Sequence, residues 1–169
     1  MKEKGIEDAI NAILMLNDRY SRTVAKLDLF GPIEESYKSV FETIIAKNSS
    51  VCRYLGVVPA EKSVEAIKEY YYLLFPTHWR HEGIPGTIID ALTAGVPIIA
   101  RQWQYCDEMI EDGKTGLVYD FDSPQLLVEK MELAINNREQ IIDMKRACID
   151  KATEYSERNV MEEILNLMN

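Results

Sequence analysis

The chain has 169 residues, 19 of them basic and 28 acidic, for a formal charge of −9. That length corresponds to one domain, residues 1–169, and 47% apolar content is enough for a single sizeable core. The acidic balance argues against nucleic-acid binding. No apolar run reaches the roughly 18 residues of a membrane span, and Met1-Lys2-Glu3-Lys4-Gly5 does not read as a signal peptide.

Apolar periodicity alternates between helical and extended segments. Ile6, Ile10, Ile13, Leu14 and Leu16 recur at three- and four-residue steps and predict a first helix. Val24 to Phe30 reads as a strand ending at Gly31-Pro32, and residues 33–47 as a second helix. Val51 to Leu55 is a brief strand closed by Gly56, Ala60 to Lys68 a short helix, and Tyr71 to Phe75 a third strand stopped by Pro76. Pro85 to Ala94 predicts a helix, with Gly95 placed for the left-handed position past its end. Val96 to Ala100 is continuously apolar, as in a parallel strand buried on both faces, and Leu117 to Tyr119 follows the turn 112–116. Ser123-Pro124 reads as a helix cap and first helical residue, and the chain from about 138 onwards as helical with a break near Ser156. This alternation predicts an α/β fold, a Rossmann-like doubly wound parallel sheet with helices on both faces. Such a domain ordinarily opens on a strand in the middle of its sheet, whereas this sequence opens on a helix. The expectation is that the first strand lies upstream or comes from another chain.

In open α/β sheets ligands bind at the carboxyl ends of the strands, where helix N-termini point. The segment Phe75 to Asp90 runs from strand through loop to helix start. Helix formation from Pro85 would leave the amides of Gly86, Thr87 and Ile88 without intrahelical partners, an anion site suited to a diphosphate. Gly83 and Gly86 carry no Cβ and allow close approach. Glu82 and Asp90 flank the site, roughly 7–8 Å separating helix start from Asp90 along the axis. Their useful partners are hydroxyls, so a diphosphate joining two hydroxyl-bearing rings, a sugar nucleotide, satisfies both demands. Acidic residues near a helix N-terminus are also stabilising whatever binds there.

The run Glu82-Gly83-Ile84-Pro85-Gly86-Thr87-Ile88-Ile89-Asp90 and its continuation to Ala100 resemble the E-x7-E block of family 4 glycosyltransferases, the retaining enzymes of GT-B fold. Lys4-Gly5 resembles the lysine-glycine pair that opens their C-terminal domain. Leu55-Gly56-Val57-Val58-Pro59 resembles their nucleotide-facing loop, and Glu108 to Val118 their E-(I/M)-(I/V)-x-(D/N)-G-x-x-G-(L/F) turn. The resemblance covers nearly the whole chain and matches only the donor-binding half of such enzymes. It implies that Glu82 holds donor-sugar hydroxyls, Asp90 the ribose and Lys4 the diphosphate. Main-chain groups of Ile84, Gly86 and Thr87 would face sugar and phosphates, and those of Val57 and Val58 the base. Asp90 is one methylene shorter than the usual glutamate, Pro85 stands where many members have glycine, and the arginine that normally precedes the lysine-glycine pair is absent. The implied reaction is metal-independent, retaining transfer of a hexosyl-type sugar from a nucleoside diphosphate to an acceptor hydroxyl, in cell-surface polysaccharide or glycolipid assembly. The acceptor site would lie in an N-terminal domain or partner chain, leaving the isolated chain weakly active. The full enzyme would be cytoplasmic, at the inner face of the plasma membrane.

Other residues carry less. His78-x-x-His81-Glu82 has a spacing that can hold a metal on a helix, but here it falls in a loop with no third ligand. His78 or Arg80 borders the cleft and is a candidate to face the phosphates. Trp79 and Trp103 read as packing aromatics, and Cys106 as a thiol with nothing to lower its pKa. Cys52, Cys106 and Cys148 have no metal spacing and read as reduced thiols. Two rival functions share the architecture: a sugar-nucleotide epimerase using His78, His81 and Glu108 as acid and base, and a non-catalytic donor-binding subunit.

Overall fold

A computed structural model describes residues 2–167. In chain order the elements are α1 (Ile6–Arg19), β1 (Leu27–Leu29), α2 (Glu35–Lys47), β2 (Cys52–Tyr54), α3 (Ser63–Ile67), β3 (Leu73–Phe75) and α4 (Gly86–Thr93). There follow β4 (Ile98–Arg101), α5 (Cys106–Met109), β5 (Gly116–Tyr119), α6 (Leu126–Asn136), α7 (Ile141–Ala152) and α8 (Glu157–Leu167). All strand pairings are parallel. They form two groups, β1-β2 and β3-β4-β5, so the α/β class is as expected but the ladder is divided between β1 and β3.

Strand alternation assigns the core to two faces. On one, Ile99, Leu117 and Tyr119 pack with Ile10, Ile13 and Leu16 of α1 and with Leu127, Val128 and Met131 of α6. On the other, Phe75, Ile98 and Ala100 pack with Ile88, Ala91 and Leu92 of α4 and with Cys106, Met109 and Cys148. Helices thus cover both faces. The α1 stripe is narrower than the periodicity suggests: Leu16 is fully buried, whereas Leu14 is exposed. Gly116 sits where a Cβ would come within 2.2 Å of the Ile98 carbonyl oxygen, so the β4–β5 approach requires glycine. Gly95 takes the left-handed conformation expected after α4, with φ +66°.

Several boundaries differ from the sequence reading, each for a local reason. Val24 and Ala25 donate to the Asn17 side-chain oxygen at 2.7 and 3.0 Å, which ties them to the end of α1 and shortens β1. The segment 60–68 divides into a 3-10 turn, Ala60–Lys62, followed by α3. Ser123 contributes its carbonyl, not its hydroxyl: Leu126 N donates to Ser123 O at 3.0 Å, and α6 starts at Leu126 with Gln125 as N-cap. The break near Ser156 is present, with extended backbone (ψ 145°) between a 3-10 turn and α8. The last two residues of that predicted helix, Met168 and Asn169, lie outside the described residues. The four-residue α5 is too short for a periodic signal.

Register in the β1–β2 pair is reinforced by the opposed residues Asp28 and Arg53. The Arg53 guanidinium donates twice to the Asp28 carboxylate, at 2.8 and 2.6 Å, and the Tyr70 hydroxyl adds a third bond at 2.6 Å. Hydrogen bonding from Arg53 holds the Asp28 carboxyl below its ordinary value of 3.8, against a smaller opposing effect of burial. A carboxyl depressed in the fold stabilises it above its unfolded pKa, and that stability is lost as pH falls through the folded value. Thermal unfolding followed from pH 7 to pH 2 should therefore show Asp28→Asn less stable than the parent at neutral pH, with the gap closing below about pH 4.

Candidate functional site

The site is built where the chain before α1 meets the exit of β3. The Glu3 carbonyl accepts from the His78 amide at 2.7 Å. Gly5 has φ +71°, and a Cβ there would lie 1.9 Å from the Pro76 carbonyl oxygen. Only glycine permits this approach, and it fixes Lys4 over the loop that follows β3. The Lys4 ammonium donates to both Glu82 carboxylate oxygens, at 2.9 and 2.7 Å. Thr77, fully buried, donates its hydroxyl to Glu82 Oε2 at 3.2 Å and accepts from the Trp79 amide at 3.1 Å. Glu82 is thus aimed from two sides, its side chain only 16% exposed.

Beyond Glu82 the loop turns into α4. Pro85 is extended (φ −72°, ψ 119°) and occupies the N-cap, so the helix starts at Gly86, one residue later than expected. The Ile88 amide donates to the Pro85 carbonyl at 2.9 Å and is therefore unavailable, correcting the expectation of three open donors. The amides of Gly86 and Thr87 have no partner among the described residues, and no side chain caps the helix. A Cβ at Gly83 or Gly86 would meet no atom within 4 Å, so neither glycine is demanded by the protein's own packing. Lys4, Glu82, Ile84, Pro85, Gly86 and Thr87 share the wall of one cavity. A cation, an oriented carboxylate and two amides at the positive end of a helix can together bind an anion joined to a hydroxylated ring.

The remaining expected residues are placed differently. Asp90 lies in the second turn of α4, half-buried, and its carboxylate makes no polar contact among the described residues. Val57 and Val58 lie in the loop after β2, which the Gly31 amide ties to the loop after β1 through Gly56 O at 2.9 Å; Val57 is exposed. His78 turns its Nε2 to Asp8 at 2.8 Å, on the α1 side, where buried Arg101 holds the same carboxylate oxygen at 2.7 Å. Arg80 is taken by Asp122 and lies 4.1 Å over the Phe121 ring. His81 meets Gln104 at 2.8 Å, so the two histidines do not converge, and Glu108 is exposed on α5. Trp103 packs in the core, whereas Trp79 is exposed. Thr77 was not singled out from the sequence, because its role depends on a loop that bends Glu82 back over it. The Asp8–Arg101 pair joins residues 93 positions apart and leaves no local signature.

The fold is an α/β domain with parallel strands, and the candidate site lies at their carboxyl ends. The sequence matches the family of glycosyl transferases group 1 over residues 1–155, and the chain belongs to that family. It is 30% identical over 131 residues to an uncharacterized 41.2 kDa protein in the cps region of Klebsiella pneumoniae, covering 78% of this chain and 33% of that protein. It is 23% identical over 164 residues to the N,N'-diacetylbacillosaminyl-diphospho-undecaprenol alpha-1,3-N-acetylgalactosaminyltransferase of Campylobacter jejuni, covering 97% of this chain and 41% of that enzyme. The architecture is that of GT-B C-terminal domains. Anabaena Alr3699/HepE, solved in complex with UDP, superposes with a TM-score of 0.84 at 14% identity, over 99% of this chain and 46% of that one. The chain therefore spans less than half the length of these proteins.

All three cysteines are buried and free. Burial pushes the Cys106 and Cys148 thiols up to about 12 and raises that of Cys52 as well. Iodoacetamide at pH 8 should leave all three unmodified in the folded protein and alkylate them in denaturant, as read by mass spectrometry.

Proposed function

We propose that this chain is the donor-binding domain of a retaining, family 4-type glycosyltransferase, acting on a nucleoside-diphosphate sugar. The observation that carries this reading is the convergence of Lys4, Glu82 and the unpartnered Gly86 and Thr87 amides on one cavity. In the unliganded protein Lys4 and Glu82 neutralise one another. A donor would separate them: its diphosphate takes the ammonium and the two amides, and its sugar hydroxyls donate to the freed Glu82 carboxylate. Asp90 would reach the ribose after a shift of backbone or ligand, with the main chain of Ile84 beside the sugar and that of Val57 and Val58 beside the base.

In the transfer step the bond between the anomeric carbon and the diphosphate oxygen breaks, and the electron pair leaves with the nucleoside diphosphate. The acceptor oxygen bonds to the same carbon on the same face, and its proton passes to solvent or to a base outside this chain. Negative charge grows on the leaving diphosphate, which the helix N-terminus and Lys4 would stabilise without a metal ion. The acceptor would be held by a further domain or partner chain, and the product would serve surface polysaccharide or glycolipid assembly at the cytoplasmic face of the membrane. Membership of a transferase family favours this over epimerase chemistry, for which His78, His81 and Glu108 would have to meet.

Two substitutions test the reading. Glu82→Ala in the enzyme that contains this domain should reduce transfer at least a hundredfold with little change in melting temperature; near-parental activity would refute the donor-site assignment. Calorimetric titration with a panel of nucleoside diphosphates should show Lys4→Met weakening them about tenfold or more, while leaving nucleosides nearly unaffected.

A further inference from the structure

Arg101 closes the buried strand β4. Ile98, Ile99 and Ala100 before it are apolar and buried, and Arg101 itself is only 5% exposed. Its guanidinium bonds the Asp8 carboxylate at 2.7 Å and lies 5.5 Å from the centre of the Phe121 ring, while its Nε finds no partner among the described residues. Replacing a buried ion pair by apolar groups of similar volume is often neutral or stabilising, because desolvation offsets what the charges return. Asp8 favours the start of α1 through the helix dipole alone, with no need of a buried cation behind it. Stability therefore accounts poorly for Arg101, and its connections account for it better.

Those connections lead to the site. Asp8 Oδ2 accepts from Arg101 and, at 2.8 Å, meets His78 Nε2. An ionised carboxylate only accepts, so Nε2 carries the proton of this bond. The same histidine donates its amide to the Glu3 carbonyl at 2.7 Å. His78 is thus fastened at two points to the segment 3–8, with Lys4 lying between them. It also opens the short loop that ends in Glu82, beside Thr77, whose hydroxyl donates to Glu82 Oε2. A second route runs outside the first. Arg80 lies 4.1 Å over the Phe121 ring that flanks Arg101, and its carbonyl accepts from the Gln104 amide at 2.9 Å.

We propose that Arg101 is a positioning residue for the Lys4–Glu82 pair, acting through Asp8 and His78. The proposal rests on the donor reading above. Arg101, Asp8 and His78 do not line the donor cavity, so their effect on it passes through the residues they hold. The buried guanidinium fixes the Asp8 carboxylate, the carboxylate fixes His78, and His78 holds the loop so that Glu82 is aimed before a donor arrives. Without Arg101 the partly exposed Asp8 turns to water and releases His78 with it.

The test reads this relay first with no ligand. In Arg101→Met of this chain, exchange of the His78 amide should speed up about tenfold or more, with the sheet amides of Leu73 and Ile98 unchanged. A pulse of acetic anhydride should acetylate Lys4 about threefold faster or more, measured by mass spectrometry against exposed Lys38 and Lys47. Arg101→Lys, which can still bond Asp8, should restore both readings. His78→Ala cuts the relay without touching the core and should raise Lys4 labelling to the same degree; adding Arg101→Met to it should raise labelling no further. A uniform rise in exchange assigns Arg101 a purely structural role and overturns the proposal, as does unchanged Lys4 labelling in both single variants. In the enzyme that contains this domain, Arg101→Met should lower transfer about tenfold and Arg101→Lys return most of it. Parental transfer by Arg101→Met, where Glu82→Ala is inactive, overturns the positioning role and leaves the donor reading standing. Parental transfer by Glu82→Ala refutes the donor reading itself.

Discussion

Gly5 lies so close to the Pro76 carbonyl that a single additional carbon could not be accommodated, and most of the site's geometry is inherited from that contact. It brings the start of α1 against the exit of β3, where the Glu3 carbonyl accepts from His78 and the Lys4 ammonium meets Glu82. Residues 3–5 are thereby locked to a distant part of the chain, the loop segments 75–78 and 82–87. The left-handed backbone at Gly5 is the local requirement that makes this junction possible. Thr77, buried beneath it, extends the constraint to the carboxylate.

The beginning of α4 departs from what stability alone would favour. Helix starts are usually capped by a serine, threonine, aspartate or asparagine side chain, at a gain of about 1 kcal/mol. Here proline stands at the cap and glycine follows, so two amides face outward with no side chain to satisfy them. Local rules of sequence design are broken at the place where an anionic ligand would supply the missing acceptors. Packing deeper in the same helix is conventional, with Ile88, Ala91 and Leu92 fully buried against β3 and β4.

Much of this was legible in the sequence because it rests on short-range chemistry. Periodicity locates α1, α2 and α4, the apolar run at residues 96–100 marks the buried central strand, and Gly95 marks a helix end. The Glu82 to Asp90 block identifies a strand-loop-helix junction with ligand-binding character. What escaped notice depends on long-range contact. Asn17 shortens β1 by bonding across a loop, the N-cap of α6 falls on Gln125 and not on Ser123, and His78 is drawn to Asp8 by proximity that only the fold creates. Ile88 could not be known to spend its amide on Pro85 until the proline was seen at the cap position. The division of the sheet between β1 and β3 has no local signature in the sequence.

On the proposed donor reading, the ion pair between Lys4 and Glu82 would act as a discriminator in the resting protein. Any guest must first separate two charges that satisfy each other at 2.7 Å. A lone phosphate compensates the ammonium but strands the carboxylate, and a lone sugar does the reverse. A sugar nucleotide, the donor proposed above, would settle both halves at once, and selectivity for such a bifunctional guest would then follow from the cost of a half-opened pair.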